Sequence, residues 1–290
     1  MSNIFRFLRR SRWRLLGSLV CLLIILHASV SWGDLNFGSV HLLMGNPSSA
    51  TRAGDQPDNY LMIKRQYALS YNHSKGIPNW VSWELNKSWL GNTPRQDDFR
   101  ADLTLPKKWY RVTPKDYTGS GFDRGHLISS EDRGASPDDN SATFLMPNII
   151  PQSPDNNRGP WVQLEAYCRE LVTKQGHELY IIAGPAGVGG MGEQGAKETL
   201  AEGKVTVPAS TWKIVLVLDQ PGSRLSGITE NSRVIAVLMP NQQGIKQNSW
   251  KSFRKSVDEI EALTGYNFLS NVSAAIQDVI EARVDDEQTR

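Results

Sequence analysis

Phe122-Asp123-Arg124-Gly125-His126-Leu127, led in by the turn Gly119-Ser120-Gly121, brings an acid, an arginine and a histidine within four positions. In an extended segment residues two apart share a face, so Arg124 and His126 point the same way. A histidine near neutral pKa can take a proton from water, and an arginine beside it can bind a phosphate oxygen. Together they set a base and a cation over one phosphodiester. By itself a tetrapeptide says little, since a histidine in such a setting is more often structural or merely exposed.

A second cluster changes that balance: Asn148-Ile149-Ile150-Pro151-Gln152, then Asn156-Asn157-Arg158-Gly159-Pro160-Trp161, then Leu164-Glu165. After Pro160, apolar residues recur at Trp161, Leu164, Tyr167, Cys168, Leu171 and Val172. That is helical spacing, with the proline in the first turn, where its missing N–H costs nothing. Asn157 falls at the start of this helix. Glu165 follows about two turns later, within roughly a quarter turn of the same face. A long Glu165 can reach back toward a metal held by Asn157, directly or through water. Magnesium prefers oxygen ligands and keeps several waters, so an amide oxygen and a nearby carboxylate suit it. The alternative is that Asn156 or Asn157 caps the helix and Glu165 is a surface charge.

Outward from these motifs, short runs rich in aromatic and β-branched residues mark strands. Gln66 to Asn72 and Trp80 to Asn86 predict an antiparallel pair around the turn-rich His73 to Asn79. Thr143 to Ile150 reads as a further strand; Glu178 to Ala183, Trp212 to Asp219 and Arg233 to Leu238 read as buried ones. Lys251 to Leu263 predicts one amphipathic helix, and Val272 to Val284 has helical periodicity before an acidic tail. Gly184 to Gly192 lacks the Lys-Ser/Thr ending of a phosphate-binding loop and reads as a flexible loop. Cys168, at helical spacing among apolar residues, reads as a buried structural cysteine. Most of the nine tryptophans fall in strands or on helix faces, where core packing is the assignment. The class is α+β, a central antiparallel β-sheet flanked by helices.

The leader differs from the rest. Arg6, Arg9, Arg10, Arg12 and Arg14 precede an apolar run from Leu15 to Ala28, then the small residues Ser31 and Gly33. This order reads as a secretory signal peptide over residues 1–33, with Asp34 as the new N-terminus. The apolar run falls short of the roughly 20 residues of a spanning helix. The expected location is secreted or periplasmic, with no stable membrane association after cleavage. Residues 34–59 read as an extended, partly mobile lead-in, 60–270 as the working domain, and 271–290 as a C-terminal helix with an acidic tail. Without the five leader arginines, 27 Lys+Arg face 30 Asp+Glu, a net charge of −3. Bulk basic attraction for nucleic acid is thereby excluded, and phosphate binding must rest on local arginines.

On these residues the sequence resembles the DNA/RNA non-specific endonucleases of the ββα-metal fold, and within them the sugar-non-specific cyanobacterial members. The likeness runs from about Tyr60 to Phe268 and rests on several motifs in order. They are Arg65 to Asn72, Asp123 to His126, Asn148 to Glu165, Val207-Pro208 with Trp212-Lys213, Met239-Pro240-Asn241, and Glu261 to Gly265. The resemblance implies a ββα-metal site module and hydrolysis of DNA and RNA to 5′-phosphate and 3′-hydroxyl ends. Mg2+ is the implied cofactor, with Mn2+ as a substitute, and a dedicated protein inhibitor is a conceivable partner. His126 matches the general base, Asn157 the direct magnesium ligand, and Glu165 the carboxylate that acts through water. Arg95, in Pro94-Arg95-Gln96-Asp97-Asp98-Phe99, matches the arginine that stabilises the transition state. Arg124 matches a substrate-side or structural arginine. Asp123 is expected to order the motif loop, and Asn148 to support the metal helix or the histidine. Arg169 is either a phosphate contact or an i,i+4 partner of Glu165. After His126-Leu127 the family runs through a small residue and a proline, where this chain has Ile128-Ser129.

Overall fold

Leu179 to Ala183 and Thr211 to Leu218 are apolar almost throughout, the pattern of strands covered on both faces. The computed structural model describes residues 38–286 and lays these two runs side by side at the centre of a seven-stranded sheet. In chain order the strands are β1 (Tyr60–Ile63), β2 (Ala68–Asn72), β3 (Ile77–Leu85), β4 (Asp123–His126), β5 (Ile149–Gln152) and β6 (Glu178–Ala186). They continue with β7 (Gly190–Gly192), β8 (Gly195–Lys197), β9 (Thr199–Leu200), β10 (Val205–Thr206), β11 (Ser210–Leu218), β12 (Arg233–Pro240) and β13 (Arg254–Lys255). The large sheet runs β1-β2-β3-β6-β11-β12-β13 with every neighbouring pair antiparallel. The pairs β4–β5, β7–β8 and β9–β10 stand apart from it. Among the described residues the helices longer than five residues are α1 (Pro137–Ala142), α2 (Val162–Thr173), α3 (Val257–Thr264) and α4 (Ala274–Ile280).

Side chains alternate across the central strands, so each strand feeds two layers. Val81, Trp83, Ile181, Val215 and Val237 pack in one cluster with Trp161, Leu164, Cys168 and Leu171 from α2 and its lead-in, and with Leu127, Ile149 and Ile150 around the β4–β5 pair. Leu164 and Leu171 are wholly buried. Each such side chain contributes roughly 1.5–3 kcal/mol, so packing rather than helix propensity holds α2 in place. On the opposite face Trp212 meets the Phe268 ring at 5.0 Å. There the segment after Ser39 also covers the sheet: Ser82 Oγ donates to the His41 carbonyl at 2.6 Å, and Trp80 Nε1 to Ser48 Oγ at 2.8 Å. Residues from Ser39 onward form one compact unit.

Several local expectations need correction. The lead-in of residues 34–59 is packed from Ser39 onward, with His41, Leu42, Leu43, Met44 and Ala50 buried, because the Trp80–Ser82 face of the sheet needs a cover. The strand read over Thr143 to Ile150 begins only at Ile149, since Pro147 opens the turn Met146–Asn148 and has no N–H for a ladder. Lys251 to Leu263 is not one helix. Arg254–Lys255 pairs with β12, and the helix starts at Val257 under a capping box in which Ser256 Oγ accepts from Glu259 N and the Glu259 carboxylate accepts from Ser256 N. The stretch Gly184 to Gly192 is ordered as the end of β6 and as β7, which pairs with β8. The signal-peptide reading of residues 1–33 lies outside the described residues.

Candidate active site

Strand β4 pairs with β5 so that Gly125 faces Ile150 and His126 faces Ile149. A Cβ on Gly125 would stand 2.2 Å from Gln152 Oε1, so only glycine lets β4 come this close. Asn148, wholly buried, clamps the chain just beyond the histidine. Its Oδ1 accepts from Ile128 N, and its Nδ2 donates to the Ile128 and Thr143 carbonyls. Of its two expected duties, Asn148 serves the histidine strand.

His126 is 9% exposed and packs against the Phe144 and Phe99 rings, at centroid distances of 4.9 and 5.3 Å, while those two rings meet edge-on at 4.9 Å. Trp161 Nε1 holds its carbonyl at 3.1 Å. Burial first, then the charges of Arg95 and Arg124, pushes its imidazole down to about 3. At neutral pH the ring is therefore uncharged and has a lone pair for a proton. Among the described residues its Nε2 is buried without a hydrogen-bond partner. Both arginines lean on the aromatic rings that flank the histidine: Arg124 lies 4.4 Å over Phe99 and Arg95 4.7 Å over Phe144. Arg95 is further fixed by donating to Ser130 Oγ at 2.8 Å.

Asp123, at the start of the same strand, reaches across to the candidate metal ligand. Asn157 Nδ2 donates to Asp123 Oδ2 at 2.8 Å, and Arg158 adds two bonds, 2.9 Å from Nε and 2.5 Å from Nη2. So Asp123 does more than order its own loop: it fixes which end of the Asn157 amide faces away. Among the described residues no protein group donates to Asn157 Oδ1, and the capping alternative fails because neither Asn156 nor Asn157 makes a side-chain cap bond.

The helical-phase argument that linked Asn157 to Glu165 does not hold as stated. Asn157–Trp161 forms a widened turn, Gly159 departs from helical angles (φ −119, ψ −114), and α2 proper begins at Val162. Gly159 lies so close to Lys246 that a Cβ would come within 2.7 Å of its carbonyl oxygen. Glu165 is not a surface charge; it is 9% exposed. Its carboxylate stands 3.6 Å from Lys213 Nζ, itself buried and 4.0 Å over the Trp161 ring. Burial raises the Glu165 carboxyl above its ordinary range, and Lys213 opposes that rise. Arg169 makes its ion pairs with Glu131 at 2.6 Å and Asp132 at 3.0 Å rather than with Glu165. It thus braces the turn Ser130–Arg133, and with Arg95 and Ser130 it lines a groove of about 550 Å³.

The donor set is an amide oxygen with its nitrogen already engaged, plus a buried carboxylate, and it fits a hard divalent cation that prefers oxygen. Lys213, Ser130 and the Phe99–Phe144 ring pair were missed as site residues. Of these, only Lys213 has a local signal, a lysine in the middle of an otherwise apolar strand run. Cys168 is buried, and burial pushes its thiol up to about 12, as expected for a structural cysteine.

Residues 45–275 match the DNA/RNA non-specific endonuclease family. Over 247 residues the chain is 62% identical to a nuclease of Nostoc sp., covering 85% of this chain and 86% of that one. It is 31% identical over 208 residues to the mitochondrial nuclease EXOG of Mus musculus; that is 70% of this chain but 55% of the relative, so the match spans about half of that protein. Among solved structures, EndoG in its complex with EndoGI has a similar fold, with a TM-score of 0.65 and 23% identity over 80% of this chain and 91% of that one.

Proposed function

The chain belongs to the DNA/RNA non-specific endonuclease family, and from that premise we infer that it is an exported, magnesium-dependent endonuclease that cuts DNA and RNA alike. The single observation that carries the assignment is His126, a buried imidazole kept uncharged by burial and by the charges of Arg95 and Arg124, on the strand whose Asp123 orients Asn157. Asn157 directly, and Glu165 through water, would hold magnesium, or manganese in its place, which when bound supplies Lewis-acid charge beside the phosphate.

The chain's own residues do the rest. His126 takes a proton from the attacking water, and its burial among Phe99 and Phe144 keeps it uncharged until then. Arg95, held by Ser130, offsets the charge that grows on phosphorus-bound oxygens. Arg124 binds phosphate on the substrate side. Arg169, through Glu131 and Asp132, keeps the turn that carries Ser130 in place and acts as a positioning residue. The groups assigned to substrate contact, Arg95, Arg124 and the metal, would face phosphate, which carries no base identity. Attack by external water with a 3′-oxygen leaving group gives 5′-phosphate and 3′-hydroxyl ends. The EndoG/EndoGI relative, a complex of a similar fold concerned with EndoG inhibition, supports a dedicated inhibitor protein as a further partner.

The test begins with protein recovered from the exported fraction, whose first residue should lie near Asp34. His126→Ala should lower its activity about 10²–10⁴-fold and leave magnesium binding nearly intact, while Asn157→Ala should instead weaken the response to magnesium. A His126→Ala variant within twofold of the parent, or a protein found only in the cytosol with Met1 in place, would overturn the reading.

A further inference from the structure

Away from the candidate active site, three acids converge where α3 meets the end of α4. Asp258 and Glu261 are three residues apart on α3 and so share a face. Glu281, just past α4, is brought to them from twenty residues along the chain. Its backbone carbonyl accepts from Val257 N at 2.9 Å and from Asp258 N at 3.2 Å, which ties the end of α4 to the first turn of α3. One carboxylate oxygen from each of Asp258, Glu261 and Glu281 lies within 4.8 Å of the other two.

Crowding of acids alone would say little, and exposed clusters are common. Glu281 is different. It is 5% exposed, and its Oε1 is buried with no hydrogen-bond partner. Among the described residues its side chain has no ion pair either. Burial, then Glu261, Asp258 and Asp278, pushes its carboxyl up to about 8, with no basic side chain acting against the rise. Glu261 is partly fixed, because its Oε1 accepts from Phe268 N at 2.6 Å, and this leaves its second oxygen available. A buried carboxyl beside two others, with no basic side chain acting on it, holds its charge only when a cation joins the cluster.

We propose that Asp258, Glu261 and Glu281 form a second divalent-cation site, selective for calcium, that fastens the C-terminal segment to α3. Calcium takes oxygen ligands at about 2.3–2.6 Å, so ligand atoms up to about 5 Å apart can share one ion. Magnesium demands near-ideal octahedral geometry at about 2.0–2.1 Å and sheds its waters reluctantly, which suits three carboxylates from two separate segments less well than calcium's flexible shell. With Asp258 exposed and Glu261 half-buried, the site is open on one side. Its affinity belongs in the range of extracellular calcium modules, about 10⁻⁴–10⁻³ M.

Calcium titration of the Asn157→Ala protein by calorimetry, with thermal melting in parallel, tests this without interference from the other oxygen site. One saturable calcium is expected, at least tenfold tighter than magnesium. At about 10 mM calcium the melting temperature should rise by roughly 3–10 °C. Adding Glu281→Gln should weaken calcium binding at least tenfold and abolish the calcium-dependent rise. Without calcium the same variant should melt no lower than its parent, because it relieves repulsion among the three acids. Absence of a saturable heat, equal heats in the Glu281→Gln variant, or equal binding of calcium and magnesium would overturn the proposal.

Discussion

Replacing Asp123 by alanine separates orientation of the metal ligand from the chemistry of the base. Asp123 makes two kinds of contact. Its ion pair with Arg158 involves a guanidinium whose side chain is 57% exposed, so solvent screening reduces its worth to about 0–1 kcal/mol. The bond from Asn157 Nδ2, part-buried at 2.8 Å, ends on a charged acceptor and is worth about 1.5–3 kcal/mol. Without it the Asn157 amide turns freely, and its nitrogen competes with its oxygen for the side where a cation would sit. Loss of such an outer partner typically costs about 10–100-fold in metal affinity, in keeping with that bond energy. In a magnesium titration of nuclease rate, Asp123→Ala should raise the half-saturating magnesium concentration about 10–100-fold. At saturating magnesium most of the rate should return, because His126, Arg95 and Arg124 keep their partners. Asp123→Asn retains an oxygen to accept from Asn157 and should fall between alanine and the parent. A half-saturating concentration within twofold of the parent, or a loss that magnesium cannot restore, would refute the reasoning.

Lys213→Met removes the ion-pair partner of buried Glu165; breaking a buried pair in this way costs about 3–5 kcal/mol, a melting-temperature drop of roughly 6–20 °C. Activity in that variant should also need a higher pH, since the Glu165 carboxyl loses the charge that opposes its rise; a melting temperature within two degrees of the parent contradicts both. By NMR titration of the free enzyme, the His126 imidazole should stay uncharged down to about pH 4.5, and a resonance titrating near 6.5 would count against the burial argument. The sign for stability follows. With its folded value below the ordinary one, unfolding takes up a proton, so stability falls as pH drops from about 6.5 toward 3.

What could be read in the sequence was whatever lies within one element. Continuous apolar runs marked β6, β11 and β12, and the period after Pro160 marked α2. The pairings that complete the site join residues far apart. Asp123 and Asn157 are 34 positions apart, and Glu165 and Lys213 are 48 apart, distances over which neither periodicity nor spacing carries information. Gly159 defeated the phase argument between Asn157 and Glu165, because one residue outside the helical region resets the register of all that follow. Other misses were legible. Ser256 and Glu259 spell a capping box inside what was read as one helix, and Pro147 already argued against a strand through Thr143 to Ile150. The lead-in misled for a different reason: its Gly, Ser and Asn residues describe turns, and say nothing of the Trp80–Ser82 face on which it packs.

The central claim, that water activated by His126 cuts both polymers without help from the sugar, is tested most directly by mass spectrometry of RNA and DNA digests made side by side with the purified protein. Both polymers should be degraded to fragments with 5′-phosphate and 3′-hydroxyl ends. Primary RNA products with 2′,3′-cyclic phosphates, or RNA left intact while DNA is degraded, would contradict it.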